Sequence, residues 1–118
     1  MYNQPDTDAA RDNWGSQILQ VEKMVVRILI ARTITNGGLP AVLELIAAMR
    51  REAQAQPGYI GGETLDALPH SREVLVLSTW QSIEHWNQWF EHPARLRLQK
   101  QMNGHLIGRT EYTIYRDF

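Results

Sequence analysis

The run from Glu73 to Trp80, EVLVLSTW, constrains this chain more than any other segment. β-Branched and aliphatic residues dominate it, so it reads as a strand, and successive side chains of a strand point to opposite faces of a sheet. Val74, Val76, Ser78 and Trp80 then share one face, and Leu75, Leu77 and Thr79 share the other. Both faces are largely apolar. A strand that leaves one face to water normally alternates to polar residues there. Lys23 to Thr33 repeats the departure from that rule, with Met24, Val26, Ile28 and Ile30 opposed by Val25, Leu29 and Ala31. Whatever sheet these strands build must be covered on both sides.

The rest of the chain supplies the covering elements. Asn36-Gly37-Gly38 ends the first strand, and Pro40 suits the first turn of a helix. Leu39, Val42, Leu43, Ile46, Met49 and Ala53 recur at three- and four-residue steps, which predicts an amphipathic helix ending near Pro57-Gly58. Tyr59 to Ala67 reads as a second strand, with Gly61-Gly62 marking a bulge or a close backbone approach. Leu68-Pro69-His70-Ser71 then turns the chain into the strand that opens this section. Ser82 is a candidate helix N-cap, and Ile83, Trp86, Asn87 and Phe90 fall on one face of the helix it begins. His92-Pro93 interrupts that helix, and a second segment runs from Ala94 to about Met102. Gly104 and Gly108 bracket its exit, and Arg109 to Arg116 alternates as the last strand.

The order strand, helix, strand, strand, helix, strand is that of an α+β, ferredoxin-like β-α-β-β-α-β domain with a four-stranded antiparallel sheet. Right-handed crossovers place both helical regions on one face of the sheet. The other face is bare and apolar, a patch of roughly several hundred Å2, which monomers rarely expose. A homodimer paired face to face, a dimeric α+β barrel, covers it. Such pairing encloses space between the sheets, and Arg27, Glu63, Ser78 and the indole of Trp80 are the candidates to line it. Two alternatives stay open: Arg27 and Glu63 form an interface salt bridge, and Trp80 serves in packing.

With 118 residues the chain has room for one core, assigned to 21–118 with a polar N-terminal extension over 1–20. A net charge of −1 gives no electrostatic reason to bind nucleic acid. The absence of cysteine excludes disulfides, thiolate nucleophiles and cysteine-ligated metals. Met24 to Ala31, the longest apolar run, is broken by Arg27 and too short to span a bilayer, and no signal peptide is visible, so the default expectation is a cytoplasmic protein without a membrane partner. His70, His85, His92 and His105 follow no metal-binding spacing, so no metal is expected, although His85 beside Trp86 could accept a proton. Ser78 lies on no nucleophile elbow, and catalytic residues stay unassigned.

Pro57-Gly58-Tyr59-Ile60-Gly61-Gly62-Glu63-Thr64-Leu65, followed by Val76-Leu77-Ser78-Thr79-Trp80-Gln81-Ser82 with Trp86 and Trp89, resembles the antibiotic biosynthesis monooxygenase family across roughly residues 23–117. The resemblance implies a cofactor-independent monooxygenase in which an aromatic phenolate or quinol-like small molecule gives an electron to oxygen. Protein groups would position that substrate and stabilise its anion. It further implies that Trp80 lies in the substrate pocket, with Trp86 at the position of a tyrosine. The family's pocket asparagine corresponds to Val76, and its pocket arginine falls near Gln99 or Lys100. Haem-degrading members suggest a haem-binding alternative; Trp89 matches their tryptophan, Ala31 or Arg32 stands at their first-strand asparagine, and no histidine lies between Pro93 and Asn103. A non-catalytic dimeric small-molecule-binding module is the third reading.

Overall fold

A computed structural model describes residues 24–68 and 72–118. The extension expected over 1–20 lies outside the described residues, as do Pro69, His70 and Ser71. Seven elements follow in order: β1 (Val26–Ile34), α1 (Leu39–Gln54), β2 (Tyr59–Asp66), β3 (Glu73–Trp80), α2 (Ile83–Phe90), α3 (Pro93–Asn103) and β4 (Leu106–Tyr115). The strands form one antiparallel sheet in the order β2-β3-β1-β4. This is the ferredoxin-like α+β architecture expected from the sequence.

Register decides which residues meet. Ile28 pairs with Ser78 and Ile114, Ile30 with Val76 and Tyr112, and Val26 with Trp80. The face they share is the one the helices cover, because Val26, Ile28, Ile30, Val74, Val76, Ser78 and Trp80 are all buried. From α1 it receives Val42, Ile46, Met49 and Ala53, spaced at the period of a helix face. Leu39 and Leu43, expected on that stripe, lie at its margin and are 46% and 41% exposed. From α2 it receives Trp86 and Trp89, whereas Phe90 is 37% exposed; the buried face of α2 is therefore turned by one residue from the expected stripe.

The opposite face has no helix. It carries half-buried Leu29, Ala31, Leu75 and Leu77 with exposed Leu65, Ile107 and Tyr115. Arg27 and Glu63 lie on this bare face, and Ser78 and Trp80 do not. A shared lining of these four residues between paired sheets is thus corrected: parity along β3 turns Ser78 and Trp80 toward the helices.

Local punctuation explains the joints. Gly61 follows a register shift after Tyr59, the bulge expected from Gly61-Gly62. β4 begins three residues earlier than the alternating pattern suggested. Gly108, read as the end of a loop, has φ 71° inside the strand, and the register of β1 with β4 shifts between Ala31 and Thr33. Only glycine adopts that conformation without strain. Ser82 caps α2 by accepting a hydrogen bond from the His85 backbone N–H, and His92 caps α3 by accepting one from Ala94 just before Pro93.

Candidate functional site

Between α1 and the helix-covered face of the sheet lies a small cleft with a cavity volume of about 40 Å3. Ile46, Met49, Arg50 and Ala53 of α1 form one wall. Ile30 and Arg32 of β1, Val76 and Ser78 of β3, Tyr59 and Gly62 of β2 and Trp89 of α2 form the rest. A cleft of this volume has room for a few waters and must widen to take an aromatic ring.

The rim is built by Gly62. A Cβ there would stand 2.9 Å from the Tyr59 hydroxyl and 3.1 Å from Arg50 Nε, so the glycine leaves room for both side chains to lie across the opening. Arg50 Nη2 also donates to Thr64 Oγ1 at 2.7 Å. Burial holds the Tyr59 phenol above its ordinary pKa, with Arg50 opposing the shift.

Arg32 is the charge inside. It continues the buried parity of Val26, Ile28 and Ile30 and is 2% exposed. Its Nη2 donates to Gln99 Oε1 at 2.8 Å and lies 3.9 Å from Met49 Sδ, while Nε is buried without a hydrogen-bond partner. Gln99 is itself held by Asn103 and Thr110, donating to each at 2.9 Å. Burial draws the Arg32 pKa down to about 10; Tyr112, through its charge and a side-chain hydrogen bond, draws it back up, and Arg95 pushes it lower. The guanidinium is therefore charged at neutral pH. Arg27 and Asp117 form a well-exposed ion pair at 3.8 Å, and Arg32 is in no ion pair with a carboxylate of the described residues.

A second buried cation provides a contrast. Arg95, 4% exposed, donates from Nε to the Phe90 carbonyl at 2.6 Å and from Nη1 to the Tyr112 hydroxyl at 3.0 Å. Its guanidinium carbon stands 4.3 Å from the Phe90 ring centroid and 5.8 Å from that of Tyr112. Arg95 is bonded on two sides and stacked on aromatic faces. Arg32 is not.

Of the five residues expected in a substrate site, Ser78 lines this cleft. Trp80 is fully buried behind it, its Nε1 donating to Ser78 Oγ at 2.8 Å, so the indole N–H is already occupied. Trp80 stacks with Trp89 at 6.1 Å and meets Tyr59 and Trp86 edge-on at 5.2 and 6.1 Å. Trp86 packs on toward Phe90 and Tyr112. Arg27 and Glu63 lie across the sheet on the bare face. Arg32, Arg50, Tyr59 and Gln99 were not singled out as substrate groups; stepping by two from Ile30 along β1 is the signal that would have found Arg32.

Two of the described histidines hold structural positions. His85 lies over Gly58 with Nδ1 2.7 Å from Ser82 Oγ, and the His92 ring stacks against Trp89 at 5.5 Å. Among the described residues no group of three or more His, Cys, Asp or Glu is placed to hold a metal ion, and no helix is long and apolar enough to cross a membrane.

Comparison with solved structures places this fold in known company. A conserved protein of Methanosarcina mazei Go1 matches with a TM-score of 0.75 at 15% identity, over 85% of this chain and 99% of that one. A Mycobacterium tuberculosis protein matches with a TM-score of 0.71 at 15% identity, over 80% and 95%. A cofactor-independent oxygenase from Streptomyces nogalater matches with a TM-score of 0.66 at 13% identity, over 80% and 94%. No curated protein matches the sequence. At these identities the structural likeness establishes the fold, while the model of one sequence family matches residues 25–101, well over half of the chain. The chain belongs to the antibiotic biosynthesis monooxygenase family.

Proposed function

We propose that this protein is a cofactor-independent monooxygenase of an aromatic or quinol-like small molecule, acting in the cleft between α1 and the sheet. Membership of the family supports monooxygenation. The observation that carries the reading to this site is a cleft lined by an aromatic face, Trp89, and a buried cation, Arg32. A hydroxylated anthrone suits both groups: its ring stacks on the indole and its ionised oxygen faces the cation. Electrons come from the substrate. Its ring CH2 loses two protons, one oxygen atom of O2 enters as the carbonyl, and the other leaves as water. The protein's part is to hold the electron-rich anion in place and exclude bulk water, which needs no resident metal or flavin. Pairing of two chains through the bare faces and a cytoplasmic setting belong to the same proposal. Trp80 supports the site from behind by packing against Trp89 and Tyr59, and Trp86 packs against Trp80.

Oxygen-electrode assays with hydroxylated anthrones and naphthalenes test this. Uptake above the protein-free rate, lowered about tenfold or more by Trp89→Ala in a folded variant, is expected, on the scale of losing one positioning contact. Uptake equal to the protein-free rate across the whole set sinks the reading.

A further inference from the structure

Four aromatic rings stand in line through this core, three of them indoles. Trp89 walls the cleft, and its ring centroid lies 6.1 Å from that of Trp80, with the two planes inclined by 23°. Trp80 stands 6.1 Å from Trp86, and Trp86 stands 6.0 Å from Tyr112 on β4. These are the separations of interacting rings. The three indoles are at most 4% exposed, whereas Tyr112 is half-buried. The line therefore runs from the cleft, through the dry interior, to a phenol that water reaches. Packing alone explains neighbouring rings, but phenylalanine would pack without an N–H or O–H to satisfy. Phe90 touches Trp86 and Tyr112 from the side, and the line itself is all indole and phenol, the aromatic side chains that give up one electron most readily. No cysteine competes with them as a donor.

The polar atoms suit such a loss. Trp80 Nε1 donates to Ser78 Oγ at 2.8 Å, so its proton stays in place while an electron passes. The Tyr112 hydroxyl accepts from Arg95 Nη1 at 3.0 Å. A phenol cation radical beside that guanidinium is opposed by like charge, so Tyr112 must lose electron and proton together, which leaves it neutral. Tyr59 also meets Trp80, at 5.2 Å, but it stands at the cleft, and burial holds its phenol above the ordinary pKa, so it parts with a proton less readily.

We propose that Trp89, Trp80, Trp86 and Tyr112 form an electron relay that quenches peroxyl radicals in the cleft, with Tyr112 as its outlet. The relay rests on the reading given above for its oxidant alone: a substrate radical that captures O2 in the cleft is a peroxyl radical. That radical takes one electron from Trp89 and one proton from water and leaves as a hydroperoxide. Trp80 refills Trp89, Trp86 refills Trp80, and Tyr112 refills Trp86 while releasing its phenolic proton to water. One neutral tyrosyl radical remains, and a dissolved reductant of the ascorbate or thiol class returns a hydrogen atom to it. Electron transfer weakens exponentially with separation, so three steps between neighbouring rings outrun one jump across the core. Trp89 is thereby spared oxidation beside the substrate.

Laser photo-ionisation with light absorbed by indole and not by phenol tests the relay, with the ejected electrons scavenged. Trp14, outside the described residues, is replaced by phenylalanine, so the three indoles left are those of the relay. In this protein the indolyl radical absorption should decay as the tyrosyl absorption grows, in a first-order process unchanged by dilution. Tyr112→Phe should abolish the growth, Trp86→Phe should slow it, and Tyr59→Phe should keep it. Absence of tyrosyl growth, a rate that rises with protein concentration, growth that survives Tyr112→Phe, or growth lost in Tyr59→Phe would each overturn the proposal. Spin trapping with a nitroso compound needs no change within the relay: peptide mass spectrometry should place the adduct on Tyr112, and an adduct on Tyr59 or Tyr115 instead refutes the outlet. The quenching role is read with a thermally decomposing azo compound as the peroxyl source and ascorbate present. Trp89 should then oxidise faster in Tyr112→Phe than in the protein with Tyr112 intact; equal rates remove that role. Photo-ionisation uses no substrate, so the two readings fail separately. Tyrosyl growth on Tyr112 without oxygen uptake on any phenol removes the oxygenase and leaves the relay, whereas uptake without tyrosyl growth does the reverse.

Discussion

Arg32 and Arg95 carry the same charge at nearly the same depth, and their partners predict opposite responses to removal. Arg95 ties the α2–α3 junction to β4 through Phe90 and Tyr112. Arg95→Ala gives up two charge-assisted hydrogen bonds and an aromatic stack, so a loss of about 2–3 kcal/mol of stability in denaturant unfolding is expected. Arg32→Met instead exchanges an uncompensated buried cation for an apolar chain beside Met49, a kind of change that is often neutral or stabilising. Its melting temperature should match or exceed that of the wild type, while a fall of several degrees would mark Arg32 as structural. The sequence made both faces of β3 legible through simple alternation. It did not make Arg32 legible, because an arginine at the end of an apolar strand reads as the point where the strand leaves the core. Which face of Trp80 meets ligand or core is likewise a question of parity against the helices, and no single strand contains the answer.

Elements with strong punctuation were readable almost to the residue. β3 runs from Glu73 to Trp80 as expected, Pro40 lies in the first turn of α1, and Pro93 separates α2 from α3 where His92 provides the cap. Ser82 is the most readily tested of these. It is buried, accepts the His85 N–H at 3.2 Å and lies 2.7 Å from the His85 ring. Ser82→Ala should cost about 1 kcal/mol in chemical denaturation, the usual worth of such a cap; an unchanged midpoint would show that the cap bond carries no stability. Two features escaped the sequence for physical reasons. Glycine signals a turn and a bulge equally well, so Gly108 concealed the first residues of β4. The helical period alone does not fix rotation, so Trp89 rather than Phe90 reached the core of α2. Contacts of Trp80 with Trp86 and Trp89 favour the burial of both, and they join β3 to α2 rather than lying within the helix.

For the whole molecule, the unresolved balance of surface lies on the bare face. Leu77 sits at its middle, paired with Leu29 on one side and Glu63 on the other. Under the proposed face-to-face pairing, Leu77→Glu sets two carboxylates on neighbouring strands and removes apolar area from the contact. Sedimentation equilibrium should then find twice the 13.6 kDa chain mass for the wild type and the single-chain mass for a folded Leu77→Glu protein; a wild type of single-chain mass would refute the pairing. On the other side of the sheet, the contact of Trp80 with both Trp86 and Trp89 at 6.1 Å has an optical consequence. Indoles this close exchange excitation faster than they emit, so the trio fluoresces as one blue-shifted unit whose intensity follows its most perturbed member. Trp89 also walls the cleft. With Trp14 replaced by phenylalanine, light absorbed by any of the three would report what enters beside one of them, and the protein would carry its own gauge of occupancy.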